Sequence, residues 1–320
     1  MTGDPGATDG LDPNVDRHHG SASTFRPPSP STIDLHTHTL RSDGLLSPGQ
    51  LVASATAAGV RMLAITDHDT LAGVRELRLG ALPEGLELIP GIEINTVVEQ
   101  RHHIAEGEVH VLGIGVDPDD DALEAALSRQ RDARRVRFDR MVQKLREQDV
   151  PIDAALEGLP TTTDEDALGR PRLARALIRC GYATSVEDAF RQHLSWGRPA
   201  YVPRQGLGPR DAIRAIREAG GLASLAHYSE APDHLSWVRT LIEMGLGGLE
   251  VYYRAYDQET VATLREIATD LRLVMTGGTD YHGDRETYAE AHAELWVPPE
   301  VADEVHGAVG EHAREVGQSV

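Results

Sequence analysis

The sequence predicts an α/β fold in which a parallel sheet or barrel is interrupted by a helical insertion. Apolar runs of strand length alternate with helical patterns over residues 32–118 and again over residues 206–300. Between them, residues 119–205 show apolar side chains at helical spacing throughout. Because parallel sheets and barrels carry their chemistry at the C-terminal ends of the strands, functional side chains are expected at those ends.

The first part of the predicted barrel, residues 32–118, has clear element boundaries. Ser47-Pro48 is typical of a helix N-cap followed by proline at the first helical position, and Gly59 ends that helix. The predicted strands are residues 33–35, 61–66, 86–90 and 109–116, and the predicted helices are residues 48–58 and 70–79.

The second part, residues 206–300, repeats the alternation. The predicted helices are residues 209–219, 233–244 and 258–271, and the predicted strands are residues 222–226, 248–252, 272–276 and 293–297. Residues 1–31 are rich in Gly, Pro, Asp and Ser and predict a disordered tail. Residues 301–320 are predicted to be a C-terminal tail, with at most a short helix.

Composition limits the possible partners and the compartment. The formal net charge is −20, which argues against binding to duplex nucleic acid, although residues 119–205 carry equal numbers of acidic and basic side chains. All but one of the 31 basic residues are arginine; genome composition or a demand for anion recognition would each explain this. Without a transmembrane run or signal peptide, we expect a soluble cytoplasmic protein, of undetermined oligomeric state.

Nine histidines and carboxylates fall at or near the ends of the predicted strands. His36 and His38 lie two residues apart in an extended segment, so their side chains project from the same face. Since Cys180 is the only cysteine, a metal site must use imidazole and carboxylate, which suit Zn²⁺, Mn²⁺ or Fe²⁺. Nine ligands suit two or three ions. The candidate ligands are His36, His38, Asp43, His68, Glu93, His110, His227, Asp280 and His282.

These residues lie in short motifs that together resemble the polymerase and histidinol phosphatase (PHP) family of metal-dependent phosphoesterases. The motifs are His36-Thr37-His38, Asp43-Gly44, Thr66-Asp67-His68, Gly91-Ile92-Glu93, His110-Val111-Leu112-Gly113, Ala226-His227, Gly248-Leu249-Glu250-Val251-Tyr252 and Thr279-Asp280-Tyr281-His282-Gly283.

The resemblance implies a distorted (β/α)₇ barrel with a trinuclear metal site and Glu93 as a bridging ligand. It assigns one ion to His36, His38, Glu93 and Asp280, a second to Glu93, His110 and His227, and a third to Asp43, His68 and His282.

Within the family, the insertion resembles the branch that acts on nucleotides. Its motifs are Gly169-Arg170-Pro171 and the run from Gly197 to Pro203. That branch includes phosphatases of nucleoside 3′,5′-bisphosphates and enzymes that trim RNA from the 5′ end, with the insertion acting as a cap that holds phosphate. Arg172 and Tyr228 depart from the usual histidine and proline of the family motifs.

The expected reaction is hydrolysis of a phosphate ester, in which a metal-bound hydroxide attacks phosphorus in line and arginines supply further positive charge. Arg170 is the first candidate for holding phosphate, followed by Arg135, Arg172 and Arg198. For Arg135 and its neighbours Arg131, Arg134 and Arg137, a solvated helix face is the alternative.

The expected substrates are small nucleotides or oligonucleotide ends. Two other hypotheses stay open, namely a phosphatase of the histidinol-phosphate type and a non-catalytic regulator that binds metal or nucleotide.

Overall fold

The computed structural model describes residues 31–98, 107–160, 162–163 and 165–315, and side chains as far as residue 312. Apart from Ser31, the predicted disordered tail of residues 1–31 lies outside the described residues. None of the described helices is both long enough and apolar enough to cross a membrane.

Seven strands form one sheet in sequence order that curls into a nearly closed barrel. They are β1 (Ile33–Asp34), β2 (Met62–Ile65), β3 (Glu87–Val97), β4 (Glu108–Ile114), β5 (Leu222–Leu225), β6 (Gly248–Tyr253) and β7 (Val274–Gly278). The chain just after β1 approaches β7, because the Leu35 N–H donates to the Gly277 carbonyl at 3.0 Å and the Asp280 N–H donates to the His36 carbonyl at 2.7 Å. The predicted (β/α)₇ barrel is therefore confirmed.

One strand departs from the predicted parallel arrangement. β4 is antiparallel to both β3 and β5, whereas every other paired neighbour in the sheet is parallel. The reversal follows from the short connection that joins β3 to β4, since parallel neighbours need a longer crossover. The N-terminal end of β4 consequently lies at the edge where β1, β2, β5, β6 and β7 have their C-terminal ends.

Helices cover the outside of the barrel and bury its apolar surface. Ser47 caps α1 as predicted: its hydroxyl accepts from the Gln50 N–H, and the Gln50 side chain accepts from the Ser47 N–H. The barrel helices are α1 (Pro48–Ala57), α2 (Ala72–Arg78), α7 (Pro209–Glu218), α8 (Leu235–Glu243), α9 (Gln258–Leu271), α10 (Tyr288–Ala293) and α11 (Glu300–Glu315).

The insertion between β4 and β5 is helical, and its side chains form a second apolar core. Its helices are α3 (Asp121–Arg146), α4 (Ile152–Glu157), α5 (Arg170–Arg179) and α6 (Val186–Ala189), followed by a π-helix (Phe190–Leu194). Asp120 caps α3 by accepting from the Leu123 N–H at 2.7 Å.

The C-terminal region differs from the predicted one in two places. The predicted closing strand over residues 293–297 is not a strand, because α10 occupies its start and the barrel already closes between β1 and β7. Residues 301–315, for which a short helix or a tail was expected, form most of α11, a helix of 16 residues. Val301 and Val305 are four residues apart on one face of this helix, and both are buried.

Candidate metal centre

All nine predicted ligands lie at one end of the barrel. His36 and His38 follow β1, and the residue between them forms a parallel bridge to Tyr281, which lies between Asp280 and His282. His68 follows β2 and pairs with Glu93 of β3 in a second parallel bridge. Because β4 is reversed, His110 near its start reaches the same edge.

Glu93 is fully buried and holds imidazoles on both of its oxygens. Its Oε1 lies 2.8 Å from His110 Nδ1 and 3.2 Å from His227 Nε2. Its Oε2 faces the imidazoles of His36, His38 and His68, at 3.4, 3.2 and 2.8 Å. Glu93 therefore brings two groups of histidines together, one on each of its oxygens.

Asp43 and Asp280 lie on either side of His38. Asp43 Oδ1 lies 3.2 Å from His282 Nε2 and 3.7 Å from His38 Nδ1, and its Oδ2 lies 3.5 Å from His68 Nε2. Asp280 Oδ1 lies 3.1 Å from His38 Nε2, 3.4 Å from His36 Nε2 and 3.5 Å from His282 Nδ1.

The unmatched polar atoms of this cluster fit divalent ions. Among the described residues, several buried atoms that point into it form no hydrogen bond: His36 Nε2, both ring nitrogens of His38, Asp43 Oδ1, His68 Nδ1 and Glu93 Oε2. Leaving buried polar atoms unmatched is costly, and cations would satisfy them together.

The ligand atoms gather into overlapping groups in which all lie within 4.8 Å of one another. These groups are His38, Asp43, His68 and His282; His36, His38 and Asp280; His36, Glu93 and His227; and His68, Glu93 and His110. The first two resemble the sets implied for the third and first ions. The ligands implied for the second ion, Glu93, His110 and His227, are divided between the last two groups. Both histidines nevertheless contact the same atom, Glu93 Oε1.

Glu250 supports two of the histidines from outside the cluster. Its Oε1 lies 3.0 Å from His36 Nδ1, and its Oε2 accepts from the backbone N–H of His227 at 2.7 Å. The register of β6 against β7 shifts between Glu250 and Tyr252, a type of irregularity that often lies beside active sites.

Two further buried aspartates hold the loops that carry ligands. Asp67 accepts from the N–H and hydroxyl of Thr39 and from the Ser42 hydroxyl, each at 2.7 Å, and so fixes the loop before Asp43. Burial raises the pKa of Asp67 even though these hydrogen bonds oppose the rise.

On the opposite side of β1, Asp34 accepts from the N–H and hydroxyl of Thr279 at 2.9 and 2.7 Å and from the Tyr288 hydroxyl at 2.7 Å. It thereby holds the turn that leads into Asp280. From the sequence, Asp34 and Asp67 are recognisable only as polar residues at strand ends.

Backbone strain concentrates beside the cluster. Asp69, His227 and Asp280 have φ values of 50°, 29° and 49°, in the left-handed region that non-glycine residues rarely adopt. Such strain is typical of functional sites, where the surrounding contacts hold it.

Protonation within the cluster is uneven. Burial opposes charge on His38, but the nearby carboxylates of Asp280 and Glu93 outweigh it and raise the pKa of His38 to about 10. Burial dominates at His68 and lowers its pKa to about 4. For Glu93, nearby imidazoles outweigh burial and hold its pKa well below the usual range. Neighbouring imidazoles of the cluster thus have pKa shifts in opposite directions.

Helix α3 of the insertion packs beside the cluster through arginines that are buried. Arg131, Arg134 and Arg137 are only 7%, 5% and 7% exposed, so the solvated-face alternative is wrong for these three. Arg134 Nε donates to Asp69 Oδ2 at 2.5 Å, and its guanidinium also bonds Asn95, whose amide contacts the His110 ring.

An arginine cluster lies next to His110. It consists of Arg137, Arg170 and Arg204 around the buried carboxylate of Glu108. Arg204 Nε donates to Glu108 Oε2 at 2.9 Å, and Arg137 Nη2 lies 3.4 Å from Glu108 Oε1. Burial opposes ionisation of Glu108, but the three arginines hold its pKa well below the usual range.

The other arginines predicted to hold phosphate lie elsewhere. Arg172 donates to the Pro160 carbonyl at 2.9 Å and lines a side cavity of about 270 Å³. Arg198 is exposed, and Arg135 is half-buried on α3. The sequence does not predict the buried positions of three arginines. Arg134 and Arg137 alternate with acidic residues on α3, and Arg204 lies in a loop that contains proline. Their burial depends on the edge of the barrel that lies opposite them.

Comparisons with known proteins agree with this geometry. The PHP domain family matches residues 34–157. The chain is 33% identical over 271 residues to the 5′-3′ exoribonuclease Rnm of Escherichia coli, covering 83% of this chain and 89% of the relative. It is 31% identical over 265 residues to the 3′,5′-nucleoside bisphosphate phosphatase of Chromobacterium violaceum, covering 80% and 89% of the two chains.

A solved structure gives the same result for the fold. A protein assigned as a metal-dependent phosphoesterase from Bifidobacterium adolescentis superposes with a TM-score of 0.76 at 31% identity, covering 88% of this chain and 98% of that one.

Proposed function

The chain belongs to the PHP family of metal-dependent phosphoesterases and is a phosphate ester hydrolase; we propose that its substrates are nucleotides that carry a second phosphate. The two candidates are nucleoside 3′,5′-bisphosphates and the 5′ ends of short RNA. The observation that carries this proposal is the arginine cluster beside the metal centre.

The arginine cluster and the metal centre share one face of β4. Glu108 and His110 are alternate residues of this strand, so their side chains project on the same side, about 7 Å apart along the chain. A substrate can therefore present one phosphate to the metal centre and the other to the arginines.

The cluster has the charge and donors to bind an anion. Three guanidinium groups face one carboxylate, which leaves an excess of positive charge. Arg137 Nη2 lies 3.4 Å from Glu108 Oε1 and forms no hydrogen bond among the described residues, so Glu108 does not satisfy all the donors of the arginine cluster. Arginine binds phosphate through charge-assisted, often bidentate hydrogen bonds.

The same charge disfavours the alternative of a histidinol-phosphate enzyme. That substrate carries one phosphate and a cationic amine, which the arginines would repel. The net charge of −20 likewise favours single nucleotides and chain ends over long polyanions.

The proposed centre holds two to three divalent ions through its nine ligands, with Mn²⁺, Zn²⁺ or Fe²⁺ as the candidates for imidazole and carboxylate donors. When bound, such ions polarise the phosphoryl oxygens and make a water-derived nucleophile available near neutral pH. The side chains of the protein position the ligands and the substrate. Glu250 orients His36, Asp67 and Asp34 hold the ligand loops, and Arg137, Arg170 and Arg204 fix the second phosphate.

A substrate panel tests the proposal. Metal content is measured on the purified protein, and phosphate or nucleotide release is followed for adenosine 3′,5′-bisphosphate, a 5′-phosphorylated short RNA and histidinol phosphate. We expect one of the first two to give the highest kcat/KM. A preference for histidinol phosphate would refute the nucleotide proposal, and bound ions without hydrolysis of any substrate would favour a regulator.

A further inference from the structure

Arg175 of the insertion contacts two of the three segments that carry the ligands of the implied third ion, namely those of Asp43 and His282. Its Nη2 donates to the backbone carbonyl of Asp43 at 2.5 Å. Its Nε and Nη2 also donate to the two carboxylate oxygens of Asp284 at 2.7 and 2.5 Å. Asp43 is itself a candidate ligand, and Asp284 lies two residues after His282, so one side chain of α5 joins two separate segments of the metal centre.

The same two segments also contact each other directly, with Asp43 Oδ1 3.2 Å from His282 Nε2. Within the described residues, the backbone hydrogen bond between them runs from the Leu45 N–H to the His282 carbonyl at 2.8 Å. Gly44 crosses so close to the chain after β1 that an added Cβ would lie 2.4 Å from the His38 carbonyl oxygen. The Asp43 loop therefore packs tightly on its barrel side, and Arg175 holds it from the insertion side.

The contact lies near the surface at an exposed residue, Asp284, but the two side chains are mostly covered. The side chains of Arg175 and Asp284 are only 16% and 19% exposed, and the guanidinium engages Asp284 in the two-point geometry that fixes direction as well as distance. An exposed ion pair on a helix surface would leave its partners free to move, whereas this one constrains the Asp43 carbonyl and the His282 segment together.

We propose that Arg175 is a positioning residue for the ion held by Asp43, His68 and His282, so that the insertion helps to build the metal centre in addition to covering it. Its guanidinium sets the spacing between Asp43 Oδ1 and His282 Nε2, now 3.2 Å. This inference rests on the metal centre proposed above. It assigns to Arg175 a role in ion retention, distinct from the substrate contacts of Arg137, Arg170 and Arg204.

Removal of the guanidinium should weaken one class of bound ion selectively. In Arg175→Gln, we expect the affinity for one Mn²⁺ per chain to fall about 10- to 100-fold, as is typical when a group that orients a metal ligand is lost. Arg175→Lys retains a charge but not the two-point contact, and should fall between Arg175→Gln and the wild type. Arg179→Gln changes an exposed arginine one turn later on α5 and is the matched control.

The test titrates the full-length metal-depleted chain and each variant with Mn²⁺ and counts bound ions, with thermal unfolding in chelator recorded alongside. Loss of one ion class at an unchanged unfolding midpoint supports the proposal. A wild-type binding curve for Arg175→Gln overturns it, and so does equal weakening of every ion class with a lower midpoint, which would show a merely structural role. Hydrolysis of the substrate panel by the wild-type chain is measured in parallel. If the wild type hydrolyses the nucleotides but Arg175→Gln binds Mn²⁺ normally, the role of Arg175 is refuted while the proposed function stands.

A double variant provides a second criterion. If Arg175 acts through Asp284, Arg175→Gln and Asp284→Asn should each weaken the same ion, and the double variant should be no worse than Arg175→Gln alone. Additive losses in Mn²⁺ affinity would overturn the proposed link.

Discussion

Glu250 lies behind His36, with its Oε1 3.0 Å from the imidazole Nδ1, while Nε2 of the same ring faces Glu93 and Asp280. With Nδ1 protonated and donating to Glu250, Nε2 is left as the free lone pair that an ion needs. Glu250 thus sets both the ring orientation and the tautomer of His36.

Replacing Glu250 by glutamine should weaken metal binding about 10- to 100-fold without removing a ligand, because the imidazole loses its anionic partner. The measurement is a Mn²⁺ titration of Glu250→Gln, with Glu87→Gln as control, since Glu87 is exposed and bonds His306 away from the centre. Equal affinities in Glu250→Gln and the wild type would contradict this role.

Arg170→Ala should lower kcat/KM for adenosine 3′,5′-bisphosphate about 10- to 100-fold and leave bound metal unchanged, because a hydrogen bond to a charged group contributes about 1.5–3 kcal/mol. Hydrolysis of p-nitrophenyl phosphate, which has a single phosphate, should change little. The control is Arg140→Ala, an exposed arginine of α3. If both substrates lose activity to the same degree, the arginine does not bind a second phosphate.

Glu108→Gln should destabilise the protein by roughly 3 kcal/mol at pH 7, because the guanidinium groups of Arg137, Arg170 and Arg204 lose their common carboxylate. The folded pKa of Glu108 lies below its unfolded value. Its contribution is therefore complete above about pH 4.5 and is lost as the pH falls toward the folded pKa, by about 1.4 kcal/mol per unit.

Urea unfolding of the wild type and Glu108→Gln at several pH values checks this sign. The difference between their free energies of unfolding should be constant from pH 7 to about pH 5 and should narrow below pH 4.5. A difference that widens in acid would show that Glu108 is not held as a carboxylate by the arginines.

Chelation should destabilise the protein substantially, because the unmatched ligand atoms are buried. An ion present at 100 times its dissociation constant adds about 2.7 kcal/mol of stability, which corresponds to a rise of roughly 5 °C or more in Tm. Differential scanning calorimetry with EDTA and then with excess Mn²⁺ measures the shift. No change between the two conditions would count against a metal centre that is part of the fold.

The sequence is informative about the ligand cluster because strand ends are recognisable from apolar runs, and the ends of parallel strands share one edge. It is silent on the direction of β4, since reversal of a strand leaves its apolar pattern unchanged. His110 shows the consequence: it lies near the start of its strand and yet reaches the same edge as His227, which follows the end of β5.

The arginines show a second limit of the sequence. Burial of a charged side chain depends on what lies opposite it, and local spacing cannot reveal that Arg134 meets Asp69 while Arg198 faces solvent. Arg170 could be selected from its motif, whereas Arg204 and Arg175 depend on contacts with residues about a hundred positions away or more.

The reversal of β4 also sets a length requirement on the helix that follows it. The strand delivers the chain to the end of the barrel remote from the nine ligands, and the 26 residues of α3 carry it back over about 39 Å. The ion pair of Arg75 with Glu124 holds the start of α3 against α2. The helix then sets the distances from that point to Arg131, Arg134 and Arg137. Loss of one helical turn would shift these arginines by about 5.4 Å, past the residues they contact. We therefore expect α3 to tolerate substitutions on its outer face far better than insertions or deletions between Glu124 and Arg137.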